Sequence, residues 1–173
     1  MLIPLADVPR WYAERKPRDT IAVSHGGDAI TWEPPQRNAS RGGPAFSGPR
    51  PKARRFVAVW KCGATPTSLS WRLPRGEAAA VLEILRPALV VGGEADWNAP
   101  NRLPADFSLD GFSDAPLAGP VARYWKAMTS GGSTGRPKVI LDHNPAVTDT
   151  AAEQLLGISP GTALLNPGPL YHN

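Results

Sequence analysis

The chain has 173 residues, 42% of them hydrophobic, and a formal net charge of +4. That size allows one ordinary domain with a buried core. The one cysteine, Cys62, excludes an internal disulfide framework and fits a reducing cytoplasm, and no apolar run approaches the roughly 18 residues of a membrane span.

The N-terminus reads Met-Leu-Ile-Pro-Leu and then meets Asp7, Arg10 and Trp11. It lacks the basic and then apolar order of a signal peptide. Residues 8–13 predict a short helix opening at Pro9, since proline suits a first helical turn. Residues 20–23 and 29–32 predict two strands joined by a turn at His25-Gly26-Gly27-Asp28, a hairpin pattern.

Residues 34–55 break this order. Between 36 and 55 lie six basic residues (Arg37, Arg41, Arg50, Lys52, Arg54, Arg55) and no acidic one. Without those six charges the rest of the chain stands at −2, so the basic character is local. The segment has no hydrophobic period and is rich in proline and glycine. It reads as a frame-shifted or mispredicted stretch restored near Phe56, ahead of a disordered linker. A nucleic-acid-binding arm ranks last, because stacking aromatics are missing.

Residues 56–61 show helical spacing and stop at Gly63. Residues 75–86 predict a second helix stopped by Pro87. Residues 88–91 then predict a buried strand running into Gly92-Gly93, a helix-to-strand rhythm typical of a parallel sheet. Residues 94–120 read as loop. Residues 121–128 and 139–141 predict two strands flanking a loop. Residues 147–156 predict a helix capped by Asn144 with Pro145 in its first turn. Residues 163–166 predict a strand and residues 168–173 a turn. The tryptophans read as core and helix-packing residues, and Cys62 as a buried structural cysteine. His25, His143 and His172 show no metal spacing, and His143 reads as a packing or capping residue.

The loop between the two strands, Thr129 to Lys138, reads TSGGSTGRPK. Glycines let backbone N–H groups approach a ligand, hydroxyls donate to phosphate oxygens, and lysine adds a compact charge. The composition therefore predicts a polyphosphate cradle. It is not a Walker A loop, because Arg136 and Pro137 stand where that pattern needs its second glycine. The spacing of Gly131, Gly132 and Gly135 also fails the dinucleotide-binding pattern.

This loop resembles the signature loop of the adenylate-forming (AMP-binding) superfamily, the acyl-CoA synthetases and bile-acid-CoA-ligase-like members included. Gly132 stands where Ser or Thr is common, Ser133 for the usual Thr, and Val139 for the usual final Gly. Four further stretches resemble family segments in order: Ile30 to Glu33, Trp60 to Pro66, His143-Asn144, and Pro169 to Asn173. The resemblance spans the chain apart from about residues 34–55. It implies an α/β fold, the incomplete N-terminal part of the large adenylate-forming domain, with a sheet and flanking helices.

The same resemblance implies an ATP-dependent acid–thiol ligase. Such an enzyme activates a carboxylic acid as an acyl-adenylate and then joins it to coenzyme A, with Mg²⁺ offsetting phosphate charge. Thr129, Ser130, Gly131, Gly132, Ser133, Thr134 and Gly135 would wrap the β- and γ-phosphates. Lys138 would support the loop or its charge, and His172 would border the acyl group as a catalytic residue. The adenine-, ribose- and Mg²⁺-binding segments of the family and its mobile C-terminal domain have no counterpart in these residues. The expectation is an N-terminal piece, inactive alone and cytoplasmic in setting. Two alternatives stand beside it: a non-catalytic phosphate- or nucleotide-binding module, and a nucleic-acid-binding protein acting through residues 36–55. The acid itself is not readable, because most of its pocket would follow position 173.

Overall fold

The computed structural model describes residues 1–25, 28–32, 52–70, 72–93, 97, 99, 101–105, 107, 117, 119–130, 137–152, 157–159 and 161–165. These form a mixed fold of three α-helices and eight short strands among the described residues. The strands pair as four separate two-stranded sheets, three antiparallel and one parallel. Among the described residues the strands thus form small paired ribbons rather than one continuous sheet. Each ribbon leaves edge groups that only solvent or loops can satisfy.

The chain opens with β1 (Leu2–Pro4), which pairs antiparallel with β8 (Val147–Asp149) in the register Leu2↔Asp149, Ile3↔Thr148, Pro4↔Val147. Ile3 is buried beneath this pair. The α-amino group of Met1 donates to Asp149 Oδ1 at 2.8 Å, and Thr150 N donates to Met1 O at 3.0 Å. The predicted helix over 147–156 is thus corrected at its start. Val147 and Thr148 are β-branched, and the β1 backbone offers them a ladder that a helix would forgo. Asn144 does not cap a helix there; its backbone N–H and its side-chain amide both donate to Asp142 Oδ1. Residues 153–156 lie outside the described set.

The Met1 contact, and then a hydrogen bond from Ala151 N, hold the Asp149 carboxyl below its ordinary pKa. A depressed carboxylate contributes stability above its unfolded value, and that contribution disappears as pH falls through the folded value. Asp149→Asn should therefore flatten the acid limb of an unfolding-versus-pH curve below about pH 4. An unchanged acid limb would show that the contact contributes nothing measurable.

A 3-10 turn at Leu5–Asp7 leads into α1 (Val8–Ala13), with proline in the first turn as expected. Tyr12 stacks on Trp32 at 5.2 Å between ring centroids, and the Arg15 guanidinium lies 4.3 Å over Trp11. The Tyr12–Trp32 contact seats α1 against the end of the β2 (Ile21–His25) and β3 (Asp28–Thr31) hairpin, which forms where the spacing placed it. The turn residues Gly26 and Gly27 lie outside the described set.

Helix α2 (Lys52–Lys61) starts four residues earlier than the apolar spacing indicated. Its first turn, Lys-Ala-Arg-Arg, belongs to the basic segment, but these are strong helix formers. The rest of that segment, through Pro51, lies outside the described residues. The C-terminus of α2 closes with Gly63 N bonded to Trp60 O at 2.9 Å and Ala64 N to Val59 O at 3.1 Å. With Gly63 at φ +69° this is a Schellman closure, which requires a left-handed residue. Cys62 falls at the helix cap and is exposed, which corrects its reading as buried.

Helix α3 (Arg75–Leu85) buries Ala78, Val81 and Leu82, three positions on one face. It ends at Arg86, left-handed at φ 42°, directly before Pro87. Ala78, Leu82 and Trp97 form the core cluster, with Leu69, Leu73 and Val90 packed around it. After α3, β4 (Val90–Val91) is shorter than predicted and only half-buried. It pairs in parallel with β5 (Arg102–Leu103), a strand inside the stretch read as loop. Asn101 Nδ2 fixes the approach by donating to Ala88 O at 3.0 Å.

Of the tryptophans, Trp97 is core, Trp11, Trp32 and Trp60 are half-buried, and Trp125 is exposed; Trp71 lies outside the described residues. The predicted strand at 163–166 does not form over its described part. Leu164 and Leu165 are 71% and 90% exposed, and neither belongs to a ladder. No helix among the described residues is long and apolar enough to cross a membrane.

Candidate phosphate-loop hairpin

Two strands flank the TSGGSTGRPK loop, as its neighbours predicted. β6 (Ala127–Thr129) pairs antiparallel with β7 (Val139–Leu141), in the register Ala127↔Leu141, Met128↔Ile140, Thr129↔Val139. The first strand is shorter than expected. Residues 121–126 run beside 144–146 instead, held by Trp125 N to Asn144 O at 2.7 Å and Ala146 N to Ala122 O at 3.0 Å. β6 is anchored on its other side by Ala127 N donating to Pro66 O at 2.9 Å and by a parallel bridge to Thr67. The Trp60 indole N–H donates to Trp125 O at 2.8 Å and ties the segment just ahead of β6 to α2.

Beyond the last ladder pair the hairpin is closed once more. Ser130 N donates to Lys138 O at 2.9 Å, and Lys138 N donates to Ser130 Oγ at 3.3 Å. The Ser130 hydroxyl accepts in this contact, which leaves its own O–H free to donate to a ligand oxygen. Thr129 is half-buried at the strand end, and Lys138 is exposed on the opposite arm. The structure thus brings Thr129, Ser130 and Lys138 together at one mouth. Gly131, Gly132, Ser133, Thr134, Gly135 and His172 lie outside the described residues.

His143 packs edge-to-face on Tyr124 at 5.7 Å between centroids, a packing role as expected. Among the described residues no group of His, Cys, Asp or Glu side chains could hold a metal ion. The described donors at this mouth are two hydroxyls and one ammonium, which suit anionic oxygen.

A second feature lies away from the hairpin. An open cleft of about 690 Å³ runs between α1, the C-terminus of α2, Leu117 and residues 119–122. Its wall carries Arg10, Lys16, Arg18 and Lys61 as cations and Asp7 and Glu14 as anions. Among the described residues, none that lines it belongs to the loop hairpin. Arg10 is paired with Asp7 at 3.0 Å. Lys61 is half-buried, and burial, then the nearby Arg10 charge, push its ammonium below the ordinary lysine pKa, while Asp7 acts the other way. The sequence carried little signal for this cleft, because Arg10 and Lys61 are 51 positions apart and meet only through packing of the 3-10 turn against α2.

No family model matches the chain, and no curated protein matches it.

Proposed function

We propose that this chain is part of an adenylate-forming domain, the N-terminal portion of an AMP-forming acid–thiol ligase with the TSGGSTGRPK loop as its polyphosphate cradle. The observation carrying this reading is the doubly bonded Ser130–Lys138 closure at the mouth of the β6–β7 hairpin. It holds a hydroxyl donor and a lysine at the entrance of a glycine-rich loop, where an anion needs them. A carboxylate would attack the α-phosphorus of bound ATP and release pyrophosphate, and the coenzyme A thiol would then take the acyl group and release AMP. The chain's own described residues bind and orient. The Ser130 O–H donates to a phosphate oxygen, the Lys138 ammonium offsets its charge, and Thr129 carries the strand into the loop. A cytoplasmic setting goes with this reading.

Tripolyphosphate is the direct probe of the loop. Titrated calorimetrically, Lys138→Ala should bind it roughly fivefold to tenfold more weakly than the parent chain, the effect of one charge-assisted contact. Equal binding by both chains would remove the loop from the function. Because these residues hold no adenine, ribose or Mg²⁺ segment of that family, the purified chain should form no acid-dependent AMP from ATP. Detection of such AMP would show a more complete active site than is proposed.

A further inference from the structure

We propose that the outer edge of β7 pairs antiparallel with β7 of a second copy of this chain, centred on Ile140, and so makes a two-fold dimer. Its inner edge fixes which backbone groups face outward. Ser130 N donates to Lys138 O at 2.9 Å, and Asp142 N donates to Lys126 O at 3.0 Å. Lys138 and Asp142 therefore turn their backbone groups toward β6. Antiparallel ladders alternate, so the N–H and C=O groups of Val139 and Leu141 turn the other way. Among the described residues no strand pairs with that side, since β6 and β7 form a sheet of two. Helix α3 touches β7, yet Ile140 and Leu141 stay 50% and 40% exposed.

The sequence of this edge is complementary to itself. Residues 138–142 read Lys-Val-Ile-Leu-Asp. Antiparallel pairing about Ile140 sets Val139 opposite Leu141 of the second copy, and Leu141 opposite its Val139. These pairs exchange the outward N–H and C=O groups in both directions. Ile140 meets its own copy at the centre, in a pair without hydrogen bonds, where side chains lie closest. Lys138 falls opposite Asp142 of the second copy, on the same face as Ile140, because side chains alternate. The Lys138 side chain is exposed. Asp142 takes both Asn144 donors on Oδ1, which leaves Oδ2 to accept from an ammonium. A lysine on an edge strand ordinarily repels a second strand. Here an acid stands where the two-fold axis needs one. A two-residue slip would set Lys138 against Ile140, or Ile140 against Asp142, so charge selects the register.

The pairing also stops at two copies. The far side of β6 is held by Ala127 N donating to Pro66 O at 2.9 Å and by the bridge to Thr67. An isologous contact at β7 uses up the remaining edge of this ribbon. The inference rests on the strand edge and not on the loop, so it stands apart from the polyphosphate reading.

A strand this short makes a small contact, so the dimer should be weak, with a Kd of about 0.1–1 mM. Sedimentation equilibrium of the full chain, in phosphate-free buffer of low ionic strength, should show monomer giving way to dimer over that range. Added salt should weaken it. Ile140→Lys places two like charges together at the axis and should abolish the dimer. Lys138→Glu and Asp142→Lys should each weaken self-association roughly tenfold, because each sets like charges opposite one another. Mixed in equal amounts, those two variants should regain the parent's association, since the acids of one then face the lysines of the other. Far-UV circular dichroism checks that the variants fold; whichever arm folds, the axis variant or the mixed pair, decides the matter. A parent chain that stays monomeric at about 1 mM would overturn the proposal. So would an undiminished dimer in folded Ile140→Lys, a mixture that associates no better than its components, or growth beyond dimers.

Discussion

Leu82→Ala should lower the unfolding free energy by about 2–4 kcal/mol, measured by urea denaturation. Leu82 is 5% exposed and touches the centre of the only core cluster among the described residues, with Ala78 and Trp97. Truncation removes buried methyl groups and leaves a cavity that α3 cannot close, because Ala78 beside it is already small. Trp97 cannot move in freely either. Its ring lies over Gly93, which is at φ +81° and would bring an added Cβ to within 2.7 Å of the ring. A chain of this size loses roughly 2–4 °C in Tm per kcal/mol, so a drop of about 4–16 °C is expected. The loss should be a large share of total stability, since domains are held by only about 5–15 kcal/mol. A shift below 1 °C would mean that the cluster does not hold the fold together.

The second large effect lies at the crossing of residues 119–120 over the end of α2. Gly63→Ala should destabilise by roughly 2–3 kcal/mol. Gly63 is left-handed at φ +69°, and an added Cβ would meet Pro120 Cγ at 2.7 Å and Pro120 O at 2.9 Å. Both the backbone conformation and the space refuse a side chain. Gly119 approaches from the other strand of the crossing, and its Cβ would run into the Lys61 carbonyl oxygen. Gly76 is the internal comparison. It lies in the first turn of α3 with nothing within 4 Å of a built Cβ, so Gly76→Ala should stabilise by about 0.5–1 kcal/mol. Opposite signs at the two glycines, read by thermal denaturation, would verify the crossing. A neutral Gly63→Ala would refute it.

The loop hairpin and the cleft show different relations to the sequence. The loop was legible because its chemistry is contiguous: glycines, hydroxyls and Lys138 follow one another, and short apolar runs flank them. The structure added the Ser130–Lys138 closure that defines its mouth. The cleft was not legible, because its two key cations come from separate helices and neither sits in a motif.

Local pattern determined the three helices and the two hairpins. Proline at the start of α1, Gly63 after α2 and Pro87 after α3 act within one or two turns of the chain, and helix hydrogen bonds join residues four apart. The β2–β3 and β6–β7 pairs need only a turn or a loop to meet. Tertiary structure decided the rest. Val147–Asp149 had a helical environment in sequence, yet it became a strand because Leu2–Pro4, about 145 positions away, supplies its ladder. Val90–Val91 pairs with Arg102–Leu103 for the same reason. Cys62 is exposed because the Schellman closure at Gly63 leaves it at the helix cap. A helix satisfies its backbone from its own neighbours, whereas a strand and a cleft depend on partners that only the folded chain brings near.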